Sequence, residues 1–329
     1  MNQMELAPSE PLLDVQNVSI GYGGDLGAVV AVHNATFSLL PGEVLGVVGE
    51  SGSGKSTLGL ALLRLLPWPG RVMSGKAIFG KQDLFALSND EMRKLRGDRL
   101  AMVFQNPMTS LNPTEKIGDQ LAEILSTHRA MTRTELRDRC TELLELVGVP
   151  SPRQRLSNYP HEFSGGMRQR VLIALAIALQ PSLLVADEPT TALDLTVQGQ
   201  ILWLLEDIQR RSGMSMIYIT HNLAVAASFS QRIAVMYAGW IVETAPVAEL
   251  FAQPSHPYTR GLIASVPQAH WSQSQVSPIP GQPPSPRLQP AGCPFAPRCP
   301  LVTAICTEQM PAVTEIVPGH AVRCFHSHD

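Results

Sequence analysis

The sequence predicts an α/β fold: a parallel sheet fronted by an antiparallel one, interrupted by a helical insert and followed by a small, loop-rich, cysteine-bearing module. Three observations predict it. The apolar run Val44-Leu45-Gly46-Val47-Val48 passes through a glycine-rich loop straight into Leu58-Gly59-Leu60-Ala61-Leu62-Leu63, which reads as strand, loop and helix. Two further short apolar runs, Ser182 to Glu188 and Met214 to His221, end in polar groups, as buried parallel strands do when their tips face a site. Residues 114–148 carry apolar positions three or four apart, the spacing of helices.

The elements follow in order. Residues 12–48 alternate short apolar and β-branched runs, such as Val15 to Ile20 and Ala35 to Leu39, with Gly, Asn and Pro breaks, which predicts an antiparallel sheet ahead of the glycine loop. Helical spacing holds from 89 to 99 and again from 114 to 148, as in Arg133 to Leu144, so a helical subdomain is expected at about 106–165 between two halves of the core. Beyond about residue 255 the composition changes. Prolines crowd the segment from Pro278 to Pro300, and four of the five cysteines lie beyond residue 290, which predicts an appended module rather than a continuation of the core. The division expected is therefore 12–255 and 256–329. The fifth cysteine, Cys140, reads as an ordinary buried residue on a helix.

Composition narrows the class. A chain of 329 residues suggests about two domains, and 44% apolar with 16% charged residues is the make-up of a folded protein. A net charge of −3 without a basic stripe argues against nucleic acid as a partner. The longest clean apolar run, Val171 to Leu179, stops at Gln180-Pro181, too short for a membrane span. The first residues, with Glu5, Glu10 and Asp14, do not read as a signal peptide, and a cytoplasmic location is expected.

The glycine loop carries the chemistry. Gly49-Glu50-Ser51-Gly52-Ser53-Gly54-Lys55-Ser56-Thr57 fits G-x-x-x-x-G-K-S/T. A triphosphate needs backbone N–H donors aimed at it and a helix N-terminus whose dipole favours anions. Gly49, Gly52 and Gly54 keep side chains out of that approach, Lys55 reaches the outer phosphates, Ser56 offers a hydroxyl to magnesium, and Thr57 supports the first helical turn. A plain glycine turn before a helix is the bland alternative, and the strand and helix on either side weigh against it. Acids commonly end strands, so Asp187-Glu188 means little alone. Beside a phosphate loop, Asp187 is expected to hold magnesium and Glu188 to orient and deprotonate the attacking water. His221, at the next strand tip, is expected to contact the γ-phosphate. Phe163-Ser164-Gly165-Gly166-Met167 is a second glycine-rich helix start able to meet an anion.

In this order the motifs resemble the nucleotide-binding subunit of ATP-binding cassette (ABC) transporters, a P-loop NTPase fold, over residues 12 to about 255. The resemblance makes Gly49 to Thr57 the Walker A loop, Gln105 the Q-loop residue and a further magnesium contact, and Ser164 to Met167 the signature. Leu183 to Glu188 becomes the Walker B strand with its catalytic Glu, Ala192-Leu193-Asp194 the D-loop, His221 the switch histidine, and Tyr22 the ring that stacks on adenine. It implies two cassettes bound head to tail, with Ser164, Gly165, Gly166 and Asp194 acting on the partner's nucleotide. Asn106 to Pro113 would pass motion to membrane subunits. Phe163 and Met167 replace the generic Leu and Gln of the signature, and Asn222 stands where Asp is common.

His256-Pro257-Tyr258-Thr259-Arg260-Gly261-Leu262, Ile279 to Pro284 and Gly292 to Pro300 are similar to the C-terminal extension of the oligopeptide and dipeptide importer branch, pointing to its D-type ATPase. That resemblance implies a peripheral subunit on the cytoplasmic face of the inner membrane that hydrolyses ATP to energise dipeptide or oligopeptide import. Its partners would be a second, paralogous ATPase subunit, two transmembrane permease subunits and an extracytoplasmic substrate-binding protein. Similar subunits serve nickel complexes, glutathione, D-alanyl dipeptides or peptide antibiotics, so other cargoes stay open.

Cys293, Cys299, Cys306 and Cys324 leave five, six and seventeen residues between them. Metal binding is the commoner use of clustered cysteines in a cytosolic chain, but these gaps are wider than zinc-knuckle spacing. An iron–sulfur cluster, zinc and free thiols all remain open on the residues alone; the resemblance implies a 4Fe-4S cluster. Two other functional classes compete. A soluble cassette ATPase of DNA repair would need a long coiled coil between Gln105 and Ser164, and one of translation would need a second Walker A loop; neither is present. A redox or metal sensor built on the cysteines would retain its transport when they are replaced only if the sensing were secondary.

Overall fold

The computed structural model describes residues 10–23, 29–106, 110–191, 193–266, 279–285, 287 and 290–327. It divides into two compact units: Met1–Ala86 with Tyr218–Asp329, and Leu87–Ile217.

The first unit opens with β1 (Leu13–Tyr22) and β2 (Val29–Leu39), paired antiparallel with Leu13 opposite Leu39 and Tyr22 opposite Val29. Leu13, Val15, Val18 and Ile20 are fully buried. The step of three between Val15 and Val18 breaks the period of two; the register shifts there, and Asn17 takes a φ of 51°, so a bulge returns the apolar side chains to one face. Next come β3 (Val44–Val48), α1 (Lys55–Leu62), β4 (Gly70–Phe79) and β5 (Gln82–Asp83). Four of these strands form the expected antiparallel sheet, in the order β2-β1-β4-β5. All five residues of β3 are buried, which is why that segment reads as an unbroken apolar run rather than an alternating one.

The second unit holds α2 (Asn89–Leu95), β6 (Leu100–Val103), α3 (Ile117–His128), α4 (Arg133–Leu146), α5 (Pro152–Arg155), α6 (Gly165–Ile177), β7 (Leu183–Asp187) and α7 (Leu195–Ser212). β6 and β7 pair in parallel, Leu100 opposite Leu183. The helical spacing in 114–148 thus resolves into two helices rather than one. The second starts at a capping box, in which Thr132 accepts from the Glu135 N–H and the Glu135 carboxylate accepts from the Thr132 N–H. α2 begins the same way at Ser88 and Glu91.

β8 (Ser215–Thr220) spans the junction of the two units in sequence. The first unit then resumes with α8 (Leu223–Phe229), β9 (Arg232–Tyr237), β10 (Trp240–Pro246), α9 (Val247–Ala252), α10 (Pro257–Ala264), α11 (Ala304–Glu308), β11 (Thr314–Val317) and β12 (His320–Val322). Within this unit β3 pairs in parallel with β9, and β10, β12 and β11 follow antiparallel.

The expectation of an appended module separate from the core needs correcting. β12 pairs directly with β10, Glu243 opposite Val322 and Thr244 opposite Ala321, so the extension continues the core sheet. Its aromatic residues continue the core as well: Tyr258 and Phe295 meet Tyr237 of β9 in tilted and edge-on contacts, ring centres 4.6–5.4 Å apart, in a cluster with Val48, Val235 and Leu250. Short strands of three and four residues carry too little periodicity to be read from sequence, and the prolines before them hide the return to the sheet.

Candidate active site

The nine-residue motif lies where the sequence places it, leaving β3 at Gly49 and running from Lys55 into the first turn of α1. Two of its glycines are required by geometry. A Cβ at Gly49 would run into the Met236 carbonyl. Gly54 caps α1 at a φ of 98°, with the Ala31 carbonyl oxygen 2.5 Å from where a Cβ would stand. Gly54→Ala is therefore expected to destabilise the fold by about 1–3 kcal/mol through a left-handed, crowded alanine, read as a lower urea midpoint at unchanged slope.

Lys55 is 4% exposed. Its Nζ donates to the carbonyls of Gly49 (2.8 Å) and Glu50 (2.9 Å) and to Ser53 Oγ (3.4 Å). The ammonium is thus held over the loop by acceptors of the loop's own backbone, with its charge compensated by carbonyl dipoles. Tyr22, at the end of β1, is linked to the loop's far end through its hydroxyl, 3.4 Å from Thr57 Oγ1.

Both sides of Glu50 are held by the extension, which the sequence did not signal. Its N–H donates to the Tyr258 hydroxyl (2.9 Å), and its carboxylate accepts a fork from Arg298, Nη1 to Oε2 at 2.8 Å and Nη2 to Oε1 at 3.0 Å.

In the second unit, β7 delivers Asp187 at its tip, 5% exposed, and Glu188 follows with a φ of 44°. That left-handed turn redirects the chain at the strand end. Gln105 Nε2 (3.0 Å) and Thr191 Oγ1 (2.8 Å) both donate to the same carboxylate oxygen, Glu188 Oε2. The structure thus brings Gln105 and Glu188 together and adds Thr191, a hydroxyl three residues on that the sequence reading missed because such a link has no spacing signature. Ser164, exposed, caps α6 by accepting from the Met167 N–H at 3.4 Å, with Gly165 and Gly166 opening the helix. Asp194 likewise caps α7, accepting from the Val197 N–H at 2.9 Å. Ala192 lies outside the described residues, as do Pro107, Met108 and Thr109 of the proline-rich loop after Gln105.

His221 is exposed after β8, and Asn222 caps α8, its Oδ1 accepting from the Val225 N–H at 3.2 Å. A cap needs only an acceptor oxygen, so Asn serves at a position where Asp would also do.

The four clustered cysteines line one recess with His256, Phe295 and His326. Burial pushes the Cys293 thiol up to about 11 and raises Cys299 and Cys324. At Cys306 burial also works upward but is outweighed by hydrogen bonds from Thr303 and His326, and its thiol sits below the usual range. His256 is almost fully buried, its Nδ1 accepting from the Tyr258 N–H, and its Nε2 has no hydrogen-bond partner. Among the described residues, no group of three or more His, Cys, Asp or Glu side chains is placed to hold a single metal ion. The four thiols share one recess, but the described residues form no metal centre for the expected iron–sulfur cluster. Cys140 is buried on α4, as expected. No helix among the described residues is long and apolar enough to cross a membrane.

The chain matches the ABC transporter family over residues 32–191 and the family described as oligopeptide/dipeptide transporter, C-terminal region, over residues 242–306. It is 48% identical over 320 residues to a probable peptide ABC transporter ATP-binding protein of Sinorhizobium fredii, covering 97% of this chain and 96% of that one. It is 46% identical to the dipeptide transport ATP-binding protein DppD of Bacillus subtilis, over 96% of this chain and 95% of the relative. Among solved structures it resembles the dimeric post-hydrolysis state of the ATP-binding cassette MJ0796 bound to ADP and Pi, with a TM-score of 0.64 and 28% identity over 71% of this chain and 98% of that one.

Proposed function

The chain belongs to the ABC transporter ATPases that carry the oligopeptide/dipeptide C-terminal region, and on that premise we propose that it hydrolyses ATP to drive import of dipeptides or oligopeptides. The observation that carries the reading is the loop Gly49–Thr57, with Lys55 drawn over a glycine-lined turn at the start of α1. The cargo follows the relatives, whose names record peptide and dipeptide transport.

In this reading the loop's N–H groups and Lys55 receive the phosphates, and Tyr22 stacks on the adenine. Glu188 accepts a proton from the attacking water, held for that task by Gln105 and Thr191 on one oxygen. His221 contacts the γ-phosphate. Magnesium, held by Ser56, Gln105 and Asp187, would neutralise charge on the phosphoryl oxygens. Ser164, Gly165, Gly166 and Asp194 serve the nucleotide of a second ATPase subunit, a paralogue. Two permease subunits and an extracytoplasmic substrate-binding protein complete the importer, and this subunit sits on the cytoplasmic face of the inner membrane. Reconstitution of the complex in vesicles tests this: ATP-dependent accumulation of a labelled dipeptide is expected, and ATP hydrolysis without peptide uptake overturns the cargo.

A 4Fe-4S cluster on Cys293, Cys299, Cys306 and Cys324 belongs to the same reading. Its support is that all four thiols line one recess, into which the unpartnered, buried His256 also faces. A zinc ion would need four sulfurs about 2.3 Å from one point, and no such grouping is found among the described residues. Protein purified without oxygen is expected to be brown and to carry iron and acid-labile sulfide. Colourless, iron-free protein with four intact thiols removes the cluster.

A further inference from the structure

Glu50 puts a carboxylate at the second position of a loop built to receive a polyanion. Left bare, Glu50 would repel the incoming phosphates. Here it is answered by Arg298, whose side chain is 5% exposed. The fork to Glu50 is one part of a fuller engagement: Nη1 also donates to the Tyr237 hydroxyl (3.2 Å), Nη2 to the Ile279 carbonyl (3.3 Å) and Nε to the Pro280 carbonyl (2.8 Å). The guanidinium also lies 5.6 Å from the Tyr237 ring and 5.8 Å from that of Phe295. So many fixed contacts leave it one orientation, aimed at the loop. The Tyr258 hydroxyl, accepting from the Glu50 N–H, fixes the same residue's backbone. The Glu50 carbonyl in turn accepts from Lys55. Arg298 thus acts on the lysine through one intervening residue.

Arg298 is also tied to the thiol recess. It ends the short 3-10 turn Ala296–Arg298 and immediately precedes Cys299, whose N–H donates to the Ala296 carbonyl. At the other end of the turn, the Cys293 carbonyl accepts from the Ala296 N–H, and the Cys293 N–H donates to the Cys306 carbonyl. The turn that aims the guanidinium is therefore bracketed by two of the four recess cysteines.

The geometry points to Arg298 as a positioning residue for ATP binding, neutralising Glu50 and letting the chemical state of Cys293 and Cys299 reach the phosphate loop. This rests on the reading of Gly49–Thr57 as the ATP cradle.

The test is equilibrium titration of the full chain, carrying Cys140→Ala, with a fluorescent ATP analogue. Arg298→Ala is expected to weaken binding about tenfold, the scale of a lost charge-assisted fork, and Arg298→Lys to recover part of the loss. In a Glu50→Gln background the same Arg298→Ala change is expected to cost far less, because no bare carboxylate remains to be answered. In aerobically purified, iron-free protein, alkylating the recess thiols with N-ethylmaleimide, which adds each thiol across the maleimide double bond, should weaken ATP binding with Arg298 present and have little effect in Arg298→Ala. An unchanged affinity in Arg298→Ala, an equal penalty in both Glu50 backgrounds, or an equal maleimide effect with and without Arg298 overturns the assignment. Failure of the Arg298-intact protein to bind the analogue at all would instead remove the cradle reading beneath it.

Discussion

Glu188→Gln is expected to bind ATP as the unaltered chain does while phosphate release falls by about two to four orders of magnitude, the contribution of a general base. Gln105 and Thr191 both donate to the single oxygen Oε2, so an amide oxygen in the same place can keep both hydrogen bonds. The shape of the strand tip survives and only the proton acceptor is lost. Nucleotide affinity by fluorescence titration and turnover by phosphate release separate the two effects. Turnover at the normal rate would overturn the role of Glu188, and a parallel collapse of affinity would show that its carboxylate holds the loop rather than the water.

Lys55→Ala should weaken ATP binding roughly ten- to a hundredfold, the range for losing hydrogen bonds to a charged group. The change also removes a donor that the Gly49 and Glu50 carbonyls share, so the loop should loosen before any nucleotide arrives. Calorimetric titration with ATP and hydrogen exchange of the loop amides read the two consequences separately. Undiminished affinity would refute the phosphate-cradle reading of the motif.

Legibility from sequence followed the length and periodicity of each element. The loop and its flanking strand and helix were readable because a glycine pattern, an apolar run and a lysine coincide within twenty residues. β7 and β8, buried on both faces, stood out as unbroken apolar runs ending in Asp187-Glu188 and Thr220-His221. The helices of residues 114–148 showed in their spacing, though not the break between them, which two capping residues set. What escaped was contact without a spacing signature, most of it between residues distant in sequence. Thr191 on Glu188, Tyr258 and Arg298 on Glu50, and β12 on β10 are partnerships of side chains or short strands that no local pattern encodes. The resemblance gives Ser164 and Asp194 a bearing on a second nucleotide, and each also caps the helix it precedes. A cap of this kind contributes about 1 kcal/mol, so an alanine there would blur a functional effect with a local fraying of the helix.

The pairing of β12 with β10 bears on how this polypeptide can be shortened. A version trimmed at residue 255 would leave one flank of β10 with its amides and carbonyls unclaimed, an open template for a neighbouring chain to zip onto. It would also strand Glu243, which is 1% exposed, without the His256 N–H and the His320 ring that now answer its carboxylate. The catalytic half of this sequence therefore does not end where its motifs do, and a shortened form of it that keeps β10 paired has to retain β12.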